Sequence, residues 1–329
     1  MQLVRQKEEM ITQAAYHAPG IGRWRGRTVL VALLVAALGS GCAAGSGEPA
    51  NSAPGASAAG KPGQAGAGAP HEQKAAGLDA LYSPENVRRT QAARAVAAKK
   101  WGLASTPLPA PRPPAVKPVI STREGFEVEG GDDLPPLFTT VPVDGKKVVF
   151  LTMDDGSEKD PELLRMMSEL KIPYTAFLSD YVINNNYGYF KQMQDRGVAI
   201  QNHTLNHPYM PGLSYEQQKR EICGQQDLLE KNYGKRPTLF RPPYGNYNAD
   251  TLRAAKECGI KAAPIWASEA YPDHMEWREW DRDMHPGDII LTHFRGRDEW
   301  KGTMPDMIRH VMKVVTDKGY AVGRLEDYV

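Results

Sequence analysis

Three cysteines in 329 residues are too few for a disulfide framework or a zinc-ribbon scaffold. Neither sign of charge is in surplus: 40 basic against 39 acidic residues leave a net +1, which excludes the large basic excess of a nucleic-acid binder. A membrane-spanning helix needs about 20 apolar residues, and the run from Val29 to Leu38 has ten. A GxGxxG dinucleotide fingerprint is missing, and Thr204 stands where an HExxH metalloprotease would carry its glutamate. The near-zero charge is itself an average of unlike parts. Residues 1–137 hold 15 basic and 11 acidic side chains, and residues 138–329 hold 25 and 28.

The apolar run is preceded by Arg23, Arg25 and Arg27 and followed by Gly39-Ser40-Gly41-Cys42. A positive flank, a short apolar core and a small-residue exit read as an export signal. With a cysteine at that place it resembles a bacterial lipoprotein signal. That resemblance implies lipidation of Cys42, membrane attachment through it, and a site on the outer face of the cytoplasmic membrane; Gly39 departs from the branched residue such signals carry. A cleaved signal with secretion, or a signal anchor, is the alternative. Of the 28 residues from Ala43 to Pro70, 24 are Ala, Gly, Pro or Ser, too little apolar surface to offset the entropy of ordering, so the segment reads as a tether. Residues 84–101 could form a basic helix, either solvated or touching an anionic surface, before the prolines between Pro107 and Pro118 stiffen the chain. The expected organisation is a signal at 1–42, a linker at 43–136 and a catalytic domain at 137–329.

From Leu137 onward, strand-like apolar runs (Lys147–Met153, Tyr174–Leu178, Val198–Asn202, Thr238–Phe240, Ile260–Ile265, Asp288–Thr292, Tyr320–Val322) alternate with amphipathic stretches (Pro161–Leu170, Tyr215–Asn232, Asn248–Cys258, Met304–Thr316). Such alternation predicts a parallel sheet covered by helices. About seven strands in this length fit a small, deformed (β/α) barrel, with an open doubly wound sheet as the alternative. Asp154-Asp155, His203, Arg241, Trp266 and His293 each fall where a strand ends, and carboxyl ends of barrel strands are where active sites are built.

His203 and His207 are spaced i, i+4, within reach of one ion. An aspartate from another strand end would complete a mixed nitrogen and oxygen site with positions open for water. Of the adjacent carboxylates Asp154 and Asp155, one can bind metal while its neighbour acts as a base; without a cation the two would repel. The prolines of Arg241-Pro242-Pro243-Tyr244-Gly245 stiffen a loop whose amides can be held for an oxyanion, and Arg241 can hold a carboxylate bidentately. Cys223 and Cys258 lie on consecutive predicted helices and read either as a disulfide or as two buried thiols.

The motifs Thr152-Met153-Asp154-Asp155-Gly156, His203-Thr204-Leu205-Asn206-His207, Arg241-Pro242-Pro243-Tyr244-Gly245 and Leu291-Thr292-His293, in this order, resemble the signature of the polysaccharide deacetylase family (NodB homology domain, carbohydrate esterase family 4), from about Val141 to the C-terminus. The resemblance implies a metal-dependent N-deacetylase acting on an N-acetylated glycan of peptidoglycan or chitin type. It implies Asp154 as base, Asp155, His203 and His207 as ligands of zinc or, less commonly, cobalt or another divalent ion, the Tyr244 amide in the oxyanion hole, Arg241 orienting the base and His293 as acid. Asn206 and Tyr209 are expected to line the groove. Met153 and Ser157 depart mildly from the first motif. The fourth motif departs more. Trp266 is followed by Glu269 and Pro272 where the family carries aspartates, so the aspartate that would tune His293 is either missing or replaced by Glu269 or Asp273, and a catalytically impaired glycan-binding protein is the alternative function. Residues Tyr271 to Asp283 read as a sugar platform or a helix packing Trp277 and Trp280, Met275, Met284 and Met304 as core filler, and Asp306 as a solvated helix residue.

Overall fold

The computed structural model describes residues 79–329. The export signal, Cys42 and the Ala/Gly-rich tether lie outside the described residues. No helix among those described is long and apolar enough to cross a membrane.

Strand β1 (Leu137–Phe138) precedes β2 (Val148–Asp155), whose eight residues are all buried. An unbroken apolar run of this kind is what a parallel strand covered on both faces requires. Helices α2 (Pro161–Leu170), α3 (Asp180–Ile183) and α4 (Tyr187–Asp195) alternate with β3 (Thr175–Leu178) and β4 (Ala199–Asn202). After α5 (Tyr215–Tyr233) and α6 (Ala249–Glu257) come β5 (Ala263–Pro264), β6 (Ser268–Ala270), β7 (Met275–Trp277), β8 (Ile289–His293), α7 (Met304–Asp317) and β9 (Ala321–Gly323). Ahead of them all, α1 spans Pro84–Trp101.

The main sheet runs β4-β3-β2-β8-β6-β7, parallel except for the β6–β7 hairpin. β9 pairs with Val148–Phe150 of β2, whereas β3 pairs with Thr152–Asp155, so two strands share the length of β2. Closure into a deformed barrel comes from single bridges, Asn202 to Phe240 and Leu239 to Ala262, and from the Ala267 N–H donating to the Ile289 carbonyl at 2.9 Å. The expected strand Thr238–Phe240 is reduced to those bridges, because Pro237 and Pro242 flank it and prolines cannot donate to a ladder. Residues 271–283 contain no helix: Met275–Trp277 is the antiparallel partner of β6, Trp277 packs partly buried on the core, and Trp280 is 92% exposed.

The helices carry local signals that agree with their packing. Helix α2 starts at an Asp160 cap with Pro161 in its first turn and buries Leu163, Leu164, Met166, Met167 and Leu170 at helical spacing. Helix α7 opens on a reciprocal Thr303/Asp306 capping box, so Asp306 terminates a helix rather than simply meeting solvent. Met275, Met284 and Met304 are in the core as expected. A Cys223–Cys258 disulfide ties α5 to α6 across a sequence separation of 35, a loop length worth about 3–4 kcal/mol in the chain-entropy account.

Helix α1 is not solvated. Ala97 and Ala98 join the main core, and Arg94, 8% exposed, donates to the Leu170 and Lys171 carbonyls at 3.0 and 2.7 Å. Those carbonyls belong to the end of α2, where the helix has no partners of its own for them. The Arg309 guanidinium on α7 closes the contact by donating to the Trp101 carbonyl at 2.7 Å.

Candidate metal centre and active site

Register brings the functional residues together. Asp154 lies opposite His293 in the β2–β8 pairing, Asp155 lies opposite Leu178 of β3, and Leu178 lies opposite Asn202, the residue before His203. Four neighbouring parallel strands, β8-β2-β3-β4, therefore bring an aspartate pair and two histidines to one end of the barrel.

The carboxylate of Asp155 and the imidazoles of His203 and His207 offer ligand atoms that all lie within 4.8 Å of one another. Asp155 Oδ1 is 3.5 Å from His203 Nε2 and 3.4 Å from His207 Nε2. His203 Nδ1 sits 2.7 Å from the Arg241 carbonyl. A carbonyl can only accept, so Nδ1 carries a proton and Nε2 is the ring atom left to face Asp155 as a ligand. Burial, with His203 beside it, pushes the His207 pKa down to about 3, so that ring is neutral. Burial would raise the Asp155 carboxyl, but contact with His203 and the charge of His293 outweigh that and leave it well below the usual range. Asp155 Oδ1 is buried without a hydrogen-bond partner. One carboxylate oxygen with two imidazole nitrogens, drawn to one point, is the donor chemistry of a three-ligand catalytic zinc site. The residues fit the ion.

Asp154, 2% exposed, turns its other side to a guanidinium. Arg241 NH1 donates to Asp154 Oδ1 at 2.7 Å and to Thr152 Oγ1 at 2.9 Å, while Nε and NH2 reach the Pro264 and Ile265 carbonyls at 2.9 and 3.3 Å. Its plane stacks 4.3 Å from the Phe177 ring, with Trp266 at 5.9 Å. Burial lowers the Arg241 pKa and Asp154 opposes the shift, so charge and countercharge are buried together. Asp154 Oδ2 is 3.6 Å from His203 Nε2, which places it beside the ligand set.

On the opposite side, His293 Nδ1 forms an ion pair with Glu269 Oε1 at 3.1 Å. Burial would lower the His293 pKa; Glu269 overcomes it and raises it. The Tyr271 hydroxyl bonds the same carboxylate. Of the two acids that sequence left open for this histidine, Glu269 reaches it, and Asp273 is at the surface paired with His274. Tyr244 stacks edge-on over His207 at 4.5 Å. The amide groups of Asn206 bind Glu221 of α5 at 2.8 Å and pin the His203–His207 loop. Tyr209 is 53% exposed.

Strain concentrates here. Asp155, Thr204, His207 and Tyr244 have φ of 76°, 72°, 54° and 59°, a left-handed conformation that costs non-glycine residues about 1–3 kcal/mol each and persists where surroundings enforce it. Gly156, at φ 101°, is required by space as well, since a Cβ would collide with the Ile183 side chain. Arg295 was not found from sequence: NH2 is 3.8 Å from Asp155 Oδ2 and Nε is 3.4 Å from Glu299 Oε2. Its signal was a cation two residues beyond a histidine that ends a strand.

Residues 142–263 match the family model described as Polysaccharide deacetylase. The chain is 37% identical over 204 residues to the uncharacterized protein SCO4760 of Streptomyces coelicolor, covering 62% of this chain and 81% of that one. It is 30% identical over 167 residues to a peptidoglycan-N-acetylglucosamine deacetylase of Bacillus cereus, covering 46% and 75%. In fold it resembles the crystal structure of the Bc1960 peptidoglycan N-acetylglucosamine deacetylase, with a TM-score of 0.51 and 22% identity over 58% of this chain and 91% of that one.

Proposed function

The chain belongs to the polysaccharide deacetylase family, and from that premise we propose that it hydrolyses N-acetyl groups from amino sugars of an envelope glycan, peptidoglycan in the first place. The observation that carries this reading is the convergence of Asp155, His203 and His207 on one point, with Asp154 beside them and gripped by Arg241. A divalent ion held by those three residues, zinc by its donor set although cobalt would also fit, would polarise the acetyl carbonyl and acidify a water.

The remaining steps fall to the chain itself. Asp154 takes the proton of the attacking water, and Arg241 keeps that carboxylate aimed. The rigid Pro242-Pro243 turn presents the Tyr244 N–H to the developing oxyanion, where a preorganised donor lowers the barrier. His293, protonated on the strength of Glu269, delivers a proton to the departing amine, leaving acetate and a free amino sugar. The contact from Glu269 to His293 favours turnover over the impaired, glycan-binding alternative. Acetate release from N-acetylated chito-oligomers and peptidoglycan, abolished by EDTA and restored by zinc, tests the reading; binding of glycan without acetate in either condition overturns it.

Glu269→Gln probes the acid. His293 must be protonated to act, so the rate falls as pH rises through its pKa. Removing the Glu269 charge takes away the main influence that opposes burial and lowers that pKa, so the alkaline limb of the kcat profile is expected to move toward acid, with a deficit that grows as pH rises. An unshifted limb would assign Glu269 a packing role only.

We further place the chemistry within residues 137–329 and assign residues 1–42 to export, with lipid on Cys42 holding the protein against the membrane that borders its substrate. Cys42→Ala is expected to move the protein from the membrane to the soluble fraction.

A further inference from the structure

We propose that Arg295 is a specificity determinant that pairs with a carboxylate on the sugar carbon next to the acetamido carbon, so that the preferred substrate is N-acetylmuramic acid with a free lactyl group rather than N-acetylglucosamine. The inference rests on the deacetylase reading above and narrows it.

Two guanidiniums touch the site, and they differ in what they have left to give. Arg241 is wholly buried, and its donors are spent on Asp154, Thr152 and two carbonyls. Arg295 has a side chain 26% exposed, and its contacts with Asp155 and Glu299, at 3.8 and 3.4 Å, are looser than hydrogen-bonded pairs. Glu299 is itself 44% exposed, so it holds the guanidinium weakly. Arg295 is nevertheless central to the pocket: its charge bears on His207, His293, Glu269, Tyr181 and Tyr244. A planar fork with donors to spare is suited to bidentate capture of a carboxylate.

Substrate chemistry says where that carboxylate sits. The two acetamido sugars of peptidoglycan differ at O3, which is a hydroxyl in one and a lactyl ether in the other, on the carbon adjacent to the one bearing the acetamido group. When the acetyl carbonyl approaches Asp155, His203 and His207, the O3 substituent lies within a side chain's width of them, which is where Arg295 stands. A neutral sugar gives the guanidinium no countercharge. A lactyl group linked to a stem peptide is an amide and has lost its charge at that point, so glycan stripped of peptides is preferred.

The test compares kcat and KM for acetate release from chito-oligomers, from peptide-free muramic-acid-containing strands and from the same strands bearing peptides, using the zinc-loaded full chain and its Arg295→Ala and Arg295→Lys variants. The wild type is expected to favour the peptide-free strand, with Arg295→Ala collapsing its kcat/KM ratio over chito-oligomer by at least about tenfold, mainly through KM, and Arg295→Lys restoring part of it. An unchanged ratio, with both substrates slowed alike, would mean that Arg295 only orients Asp155 and would overturn the proposal, as would a wild-type preference for chito-oligomer or for the peptide-bearing strand. Loss of acetate from every glycan would instead defeat the deacetylase reading. In that event calorimetric binding decides the inference, which requires the peptide-free strand to bind more tightly than chito-oligomer in the wild type and not in Arg295→Ala.

Discussion

Asp154→Asn is expected to release acetate about a thousandfold more slowly than the wild type, within the range that positioned acid–base groups contribute, while retaining its fold and its zinc. The substitution preserves shape and an acceptor for Arg241 NH1, now at 2.7 Å from Asp154 Oδ1, but removes the proton-accepting carboxylate that faces both the guanidinium and the ligand set. Stability should fall as well, because the Arg241 guanidinium remains wholly buried after losing its countercharge. The two effects separate experimentally: steady-state acetate release reports the chemistry, and denaturant unfolding with zinc stoichiometry reports the scaffold. Acetate release within about twofold of wild type would remove Asp154 from the role of base, since general base catalysis at this magnitude cannot be replaced by an amide.

His207→Ala is expected to lower zinc affinity by more than about 100-fold, a loss at least as large as that caused by removing a group that merely supports a ligand, and to lower acetate release in parallel. His207 is the better choice of the two histidines because its side chain is 14% exposed against 2% for His203, and His203 also anchors the Arg241 carbonyl. Losing His207 leaves that anchor and the barrel intact. Excess zinc should recover part of the activity, and the measured metal content should track it. Full activity in a zinc-depleted variant would rule out this ligand set.

The chemistry of the site was legible because it is written in short motifs: Asp154-Asp155, His203 to His207 and Arg241 to Gly245 are each contiguous, and the strand ends that carry them announce themselves as apolar runs. What escaped was assembled across elements. Glu269 serves His293 because β6 lies beside β8, a neighbour relation that no spacing encodes, so sequence left Glu269 and Asp273 as equals. Helix α4 (Tyr187–Asp195) was hidden by Gly188 and by aromatic residues that do not favour helix. The β6–β7 hairpin was masked because each of its strands is only three residues long, too short for an alternating pattern to stand out. Helix α1 misled most. It buries two alanines and an arginine, so its packing rests on the residue type that composition assigns to solvent.

That buried arginine bears on where this enzyme can be cut. The family match begins at residue 142 and the first described strand at residue 137, and a fragment started there would include the three proposed metal ligands together with Asp154, Arg241 and His293. It would also strip the Leu170 and Lys171 carbonyls of the Arg94 guanidinium, leave Arg309 without the Trp101 carbonyl and open the core beneath Ala97 and Ala98. Carbonyls regain water when such a cap is removed, but apolar surface does not, so the shortened protein should be prone to aggregate even where its chemistry survives. A piece begun ahead of Pro84, which keeps Arg94, Ala97 and Ala98 in place, is expected to stay in solution where the fragment begun at residue 137 aggregates.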